Sequence, residues 1–170
     1  MGHREHEKMA AASLKIGVMT FSDTRSAADD KSGMILQEVF KAGGHAIVAY
    51  EVVKEDPGLM LTALQAWLNR SDLDAIVTTG GTGLTARDGT VEVARRLFSK
   101  ELDGFGELFR MISYQQIGTA AMLSRATAGL ASGKMLICLP GSSKAVRLAA
   151  TRLILPQLPH MLWEIRRQNT

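Results

Sequence analysis

Short apolar runs of strand length alternate with stretches of helical periodicity along the chain, and this alternation constrains the fold more than any other feature. Residues 14–21 (LKIGVMTF) are apolar and are closed by Ser22, Asp23 and Thr24, which reads as a buried strand. Between residues 33 and 42, Met34, Ile35, Val39 and Phe40 recur at helical spacing, and Gly43 with Gly44 supplies a stop. Residues 45–53 (HAIVAYEVV) read as a second strand, and residues 59–68 as a second helix with Leu61, Leu64 and Leu68 on one face. Residues 75–79 (AIVTT) are a third strand, and Thr90 is placed to cap a helix over residues 91–98. A short helical stretch over residues 105–114 and a strand around residues 120–128 follow. Residues 134–139 (KMLICL) form the last strand, ahead of helices over residues 143–155 and 158–167. Strands joined through helices of this length are parallel crossovers. The spacing therefore predicts an open, mainly parallel α/β sheet flanked by helices.

Length and charge narrow what such a sheet could serve. With 170 residues, 46% of them hydrophobic, the chain reads as one domain over residues 13–170 behind a flexible terminus of residues 1–12. That terminus mixes Arg4, Glu5, Glu7 and Lys8 with short apolar residues and has no signal-peptide core. Charges interrupt every long apolar stretch, so no membrane span is expected and the location implied is the cytoplasm. Cys138 stands alone, which excludes an internal disulfide framework and a multi-cysteine metal site. Lys plus Arg is 20 against 17 for Asp plus Glu; a scattered net charge of +3 argues against a nucleic-acid partner.

Sixteen glycines against four prolines is not linker composition, so their placement matters. In open α/β sheets ligands bind beyond the carboxyl ends of the strands. Three strands end there in polar or glycine-rich loops: Ser22-Asp23-Thr24-Arg25, residues 80–89 (GGTGLTARDG), and Pro140-Gly141-Ser142-Ser143-Lys144. In the middle loop Gly80, Gly81, Gly83 and Gly89 let amides converge on an anion near a helix start. Arg87 could add a fork of donors, and Asp88 suits Mg²⁺ bridging phosphate oxygens. Ser142, Ser143 and Lys144 repeat that logic, though a Pro-Gly turn with a serine cap accounts for the same residues structurally. Glu55 and Asp56 read either as an acidic pair at the mouth of the site or as a solvated turn before Pro57. A P-loop is absent, because no lysine follows these glycines in the required place. Residues 81–86 match G-x-G-x-x-A, but the last small residue falls before the helix, which keeps nicotinamide or flavin binding as a weaker alternative. His3, His6, His45 and His160 are dispersed, so neither a histidine metal site nor a Ser-His relay is legible. Cys138 reads as core packing, and Leu158, Met161, Leu162 and Ile165 as a helix stripe facing core or another subunit.

The blocks VMTFSDTRS (18–26), DDKSG (29–33), TTGGTGLTARDGT (78–90), GFGELFRMISYQQIGTAAMLSRATAG (104–129) and LPGSSKAV (139–146) resemble the MoaB/Mog family of molybdenum-cofactor biosynthesis. The resemblance covers nearly the whole chain from Leu14 onward. It implies a three-layer, Rossmann-like molybdopterin-binding α/β sandwich, a homo-oligomer (trimer or hexamer), and dealings with other proteins of the pathway. It also implies transfer of adenylate from Mg-ATP to the molybdopterin phosphate, with a non-catalytic molybdopterin carrier as the alternative. Carried over by position, Ser22, Asp23, Gly80, Gly81, Thr82, Gly83, Arg87, Ser142 and Lys144 would contact ligand. Asp88, Glu55 and Asp56 would serve catalysis, with Asp88 and Glu55 on Mg²⁺. Glu55 stands where the family usually has Asp, and Val91 where a proline often follows the threonine.

Overall fold

The strands β1 (Lys15–Phe21), β2 (Ala46–Val53), β3 (Ala75–Thr79), β4 (Lys100–Glu101), β5 (Thr127–Ala131) and β6 (Lys134–Leu139) join in the order β2-β1-β3-β6-β5-β4. This is a computed structural model that describes residues 13–167; the readings of residues 1–12, His3 and His6 lie outside the described residues. β1 runs parallel to β2 and β3, and β3 parallel to β6, whereas β5 and β4 are antiparallel additions at one edge. The sheet is mixed but mostly parallel, as the crossover lengths predict.

Helices cover both faces, giving three layers. α1 (Lys31–Ala42), α4 (Asp103–Ile117), α5 (Ser143–Ala149) and α6 (Leu155–Arg166) lie on one face; α2 (Pro57–Leu68) and α3 (Thr90–Leu97) lie on the other. The two-residue period of the strands divides their side chains between the layers. Ile16, Val18, Ala75, Val77, Ile137 and Leu139 enter the first core, and Met19, Phe21, Ile76, Leu136 and Cys138 the second. Leu158 and Leu162 are buried in the first core with Met161 and Ile165 packed against it, so that stripe is helix core. Burial pushes the Cys138 thiol up to about 12, leaving it an unreactive packing group. No helix among the described residues is long and apolar enough to cross a membrane.

Three sequence expectations shift. The strand expected around residues 120–128 is instead a 3₁₀ turn, Gly118–Leu123, followed by β5; Gly118, at φ 64°, ends α4 and redirects the chain. Ser132 and Gly133 between β5 and β6 both have positive φ, the geometry of a tight hairpin, which is why this pair is antiparallel. The two C-terminal helices form one continuous path through a π-helical turn, Ala150–Ile154. That widened turn comes just before Pro156, whose ring a regular helical turn would not accommodate.

Candidate functional site

Strand order places the site. From β1 the chain steps outward to β2 and then crosses back to β3 on the opposite side of β1. The loops after β1 and β3 therefore diverge, leaving a crevice beyond the carboxyl ends of these strands. A cavity of about 500 Å³ lies there, lined by Ser22, Arg25, Glu55, residues 80–83, Asp88, Ser124 and Gly141, among others. All three strand-end loops singled out in the sequence meet at this one cavity.

The glycine loop is held by its carbonyls. Gly80 O accepts the Thr90 hydroxyl at 2.9 Å and Gly81 O accepts the Thr90 amide at 3.1 Å. Thr82 O accepts the Arg125 amide at 3.2 Å, and Gly83 O accepts Arg125 Nε at 2.9 Å. In a trans peptide N–H and C=O point in opposite directions. The amides of Gly81 and Thr82 therefore point away from Thr90 and Arg125; both residues line the cavity, where neighbouring N–H groups favour negative charge, while the Gly83 amide is held by the Asp88 carboxylate. Gly80 and Gly81 hold φ of 98° and 70°. A Cβ at Gly80 would run into the Phe21 carbonyl oxygen, and one at Gly81 into the Thr90 hydroxyl. These two glycines serve the fold of the loop as much as the approach of a ligand. Thr90 is not the expected cap: Gly89 takes the cap position, and Thr90 is the first residue of α3 because its hydroxyl is needed at Gly80.

Carboxylates face the same space. Asp88 accepts the Thr85 hydroxyl at 2.6 Å and the Thr85 amide at 2.8 Å, and these bonds hold its carboxyl below the usual range. Burial first, and then the charges of Asp23 and Asp88, push the Glu55 carboxyl up. Asp23 forms an ion pair with Arg87 between the first and middle loops and accepts the Glu55 amide at 3.1 Å. Asp56 does not line the cavity; its carboxylate caps α2, accepting the Leu59 amide at 2.9 Å ahead of Pro57. Among the described residues, no three His, Cys, Asp or Glu side chains gather closely enough to hold a metal.

Ser142 and Lys144 lie in a neighbouring cavity of about 800 Å³ that shares Ser124 and Pro140 with the first. Phe109, Ile117 and Leu148 give it apolar walls, while Lys144, Arg147 and Arg152 supply cations. Ser142 also caps α5, accepting the Ala145 amide at 3.5 Å, so its structural and ligand-facing readings coexist. Together the two cavities suit an elongated anion with a polar phosphate end and a flat organic end.

The family model described as "Probable molybdopterin binding domain" matches residues 17–160. The chain belongs to this family. Molybdenum cofactor biosynthesis protein B of Bacillus anthracis is 48% identical over 169 residues, covering 99% of this chain and 100% of that protein. A crystal structure of a molybdenum cofactor biosynthesis protein B has a TM-score of 0.90 at 47% identity, covering 93% of this chain and 99% of the other. The tungsten cofactor synthesizing protein MoaB from Pyrococcus furiosus has a TM-score of 0.83 at 39% identity, covering 91% and 98%.

Within this molybdopterin-binding domain, several residues that build the site are not evident from the loops alone. Asp30 is fully buried and caps α1 through the Gly33 amide at 3.0 Å. It also accepts the Thr20 hydroxyl at 2.5 Å and the Tyr50 hydroxyl at 2.6 Å, tying β1, β2 and α1 together beneath the cavity. Burial and this bond push the Tyr50 hydroxyl upward, so it stays protonated. Ser32 at 2.7 Å and Arg25 at 3.4 Å both donate to the Gly141 carbonyl and hold the last loop in place. DDKSG (29–33) marks Asp30 and Ser32 as a helix start; no local signal marks Thr20, Tyr50 or Arg125. Ala86 sits in an exposed turn ahead of α3, so the G-x-G-x-x-A match lacks its helix.

Proposed function

We propose that this protein acts in molybdenum-cofactor biosynthesis by binding molybdopterin and transferring adenylate to it from Mg-ATP. The observation that carries the reading is the glycine loop, residues 80–83, sharing one cavity with Asp88 and Glu55. The names of its relatives, molybdenum cofactor biosynthesis protein B and tungsten cofactor synthesizing protein MoaB, support the same pathway. In the step proposed, an oxygen of the pterin phosphate attacks the α-phosphorus of ATP. One P–O bond forms, the bond to the β-bridging oxygen breaks, and pyrophosphate leaves with the electron pair. No protein nucleophile is needed, so the residues act by position and charge.

The amides of Gly81 and Thr82 would receive phosphate oxygens, with Arg25 at the rim and Arg87 able to exchange Asp23 for phosphate. Lys144 and the apolar wall of the second cavity would receive the organic part. Mg²⁺ takes one or two carboxylates and completes its shell with water and substrate phosphates, a donor set that ionised Asp88 with Glu55 satisfies. When bound, the ion would neutralise charge on the phosphates. The exposed apolar residues of α4 and the 3₁₀ turn support self-association as a trimer or hexamer. Other proteins of the pathway would exchange pterin with it.

The test is incubation with molybdopterin, ATP and Mg²⁺. Adenylylated molybdopterin and pyrophosphate are expected, with Asp88→Asn about 100-fold slower and still folded. Absence of the adenylylated product overturns the enzymatic reading. One observation favours a carrier instead: Glu55 is longer than the Asp usual at its place, and burial favours its neutral form. Calorimetry showing molybdopterin binding without ATP binding would select that reading.

A further inference from the structure

Arg125 follows the 3₁₀ turn and lines a third cavity, of about 390 Å³, but not the first. Its guanidinium approaches the glycine loop from behind. Nε donates to Gly83 O at 2.9 Å and Nη2 to Asp88 O at 3.2 Å, so one side chain grips both ends of the exposed excursion through residues 84–87. Its own amide holds Thr82 O at 3.2 Å. Glu92, on the first turn of α3, pairs with both Nη1 and Nη2 and fixes the plane of the fork. Every guanidinium nitrogen is thereby engaged, and Glu92 balances its charge. Such an arginine is poorly placed to bind an anion itself.

We infer that Arg125 is a positioning residue: it turns the Gly83 and Asp88 peptides so that the loop presents amides to a phosphate ligand and the Asp88 carboxylate to the cation that accompanies it, with Glu92 orienting its fork. The inference rests on the phosphate-binding reading of the loop and adds the residue that sets the loop's shape. A lysine cannot reproduce the grip, because a single ammonium lacks the planar fork that reaches two carbonyls and a carboxylate together.

The test pairs amide hydrogen exchange over residues 82–90 of the free protein with calorimetric titration of inorganic pyrophosphate in the presence of Mg²⁺. Arg125→Met should speed exchange over this segment and weaken pyrophosphate binding by tenfold to a hundredfold, on the order of what loss of site geometry costs. Arg125→Lys should restore only part of either property. Arg70→Met removes an exposed arginine paired with Asp72, far from the loop in the fold, and should match the wild type in both. Unchanged exchange and affinity in Arg125→Met, or equal losses in Arg70→Met, would overturn the proposal. If Arg125→Met does not fold, Arg125→Lys and Glu92→Gln make the same comparison. A wild-type protein that does not bind pyrophosphate would sink the phosphate reading, while the exchange comparison still decides whether Arg125 shapes the loop.

Discussion

Glu55 and Asp88 come from different strand ends and face one cavity, yet their surroundings move them in opposite directions. The Thr85 hydroxyl stabilises the Asp88 carboxylate, so its stabilising contribution is present above the ordinary Asp value and lost as pH falls through the lowered one. Glu55 behaves oppositely. Its folded value is raised, so its contribution is complete below the ordinary Glu value and lost as pH rises through the raised one. Glu55→Gln should therefore raise Tm at pH 7.5 by about 2 °C and leave it unchanged near pH 4, as calorimetric scans at both pH values will show. A gain of equal size at both pH values would mean that burial charge is not the cause. At this scale the sequence gives direct access to residues whose type alone implies chemistry: glycines in a row, a carboxylate after them, a serine at a strand end. Arg125 and Tyr50 escape it because their partners, Gly83 and Asp30, are distant in sequence and a lone arginine or tyrosine carries no spacing signal.

Between elements, Asp30 acts as a joint. Its carboxylate joins the end of β1, the middle of β2 and the start of α1, and these fix the floor on which the loop after β1 rests. Asp30→Ala leaves the buried Thr20 hydroxyl and the half-buried Tyr50 hydroxyl without this acceptor and removes a helix cap. Urea unfolding should show a loss of about 2–4 kcal/mol with an unchanged m value. A loss below about 0.5 kcal/mol would show that water replaces the carboxylate. The strands β1, β2, β3 and β6 are readable because each is a mostly apolar run closed by polar, glycine or proline residues. β5 is not: Thr127–Ala131 (TAGLA) consists mostly of small residues without alternation, and the more hydrophobic residues just before it belong to the 3₁₀ turn. The break expected between residues 155 and 158 is bridged, because the π-helical turn carries the path into α6, which also holds Pro159 within it.

For the molecule as a whole, Leu108, Met111, Tyr114 and Ile117 expose an apolar stripe along α4, and Met122 and Leu123 add to the exposed apolar surface just beyond it. The self-association proposed above would use this stripe: in an oligomeric wild type, Met111→Glu with Met122→Glu should lower the mass measured by light scattering to that of a single chain, without loss of helical signal. An unchanged mass would move self-association to another face. The alternation of strand and helix spacing anticipates an α/β fold but not this stripe, because apolar residues at helical spacing look the same whether they face a core or a neighbour. β4 bears on how such neighbours can meet. It is two residues long, and Lys100 and Glu101 are both exposed, so that border of the sheet offers few free backbone groups and guards them with charge. Backbone pairing with a second copy is disfavoured at this border, so the sheet is poorly suited to being propagated from it into a fibre.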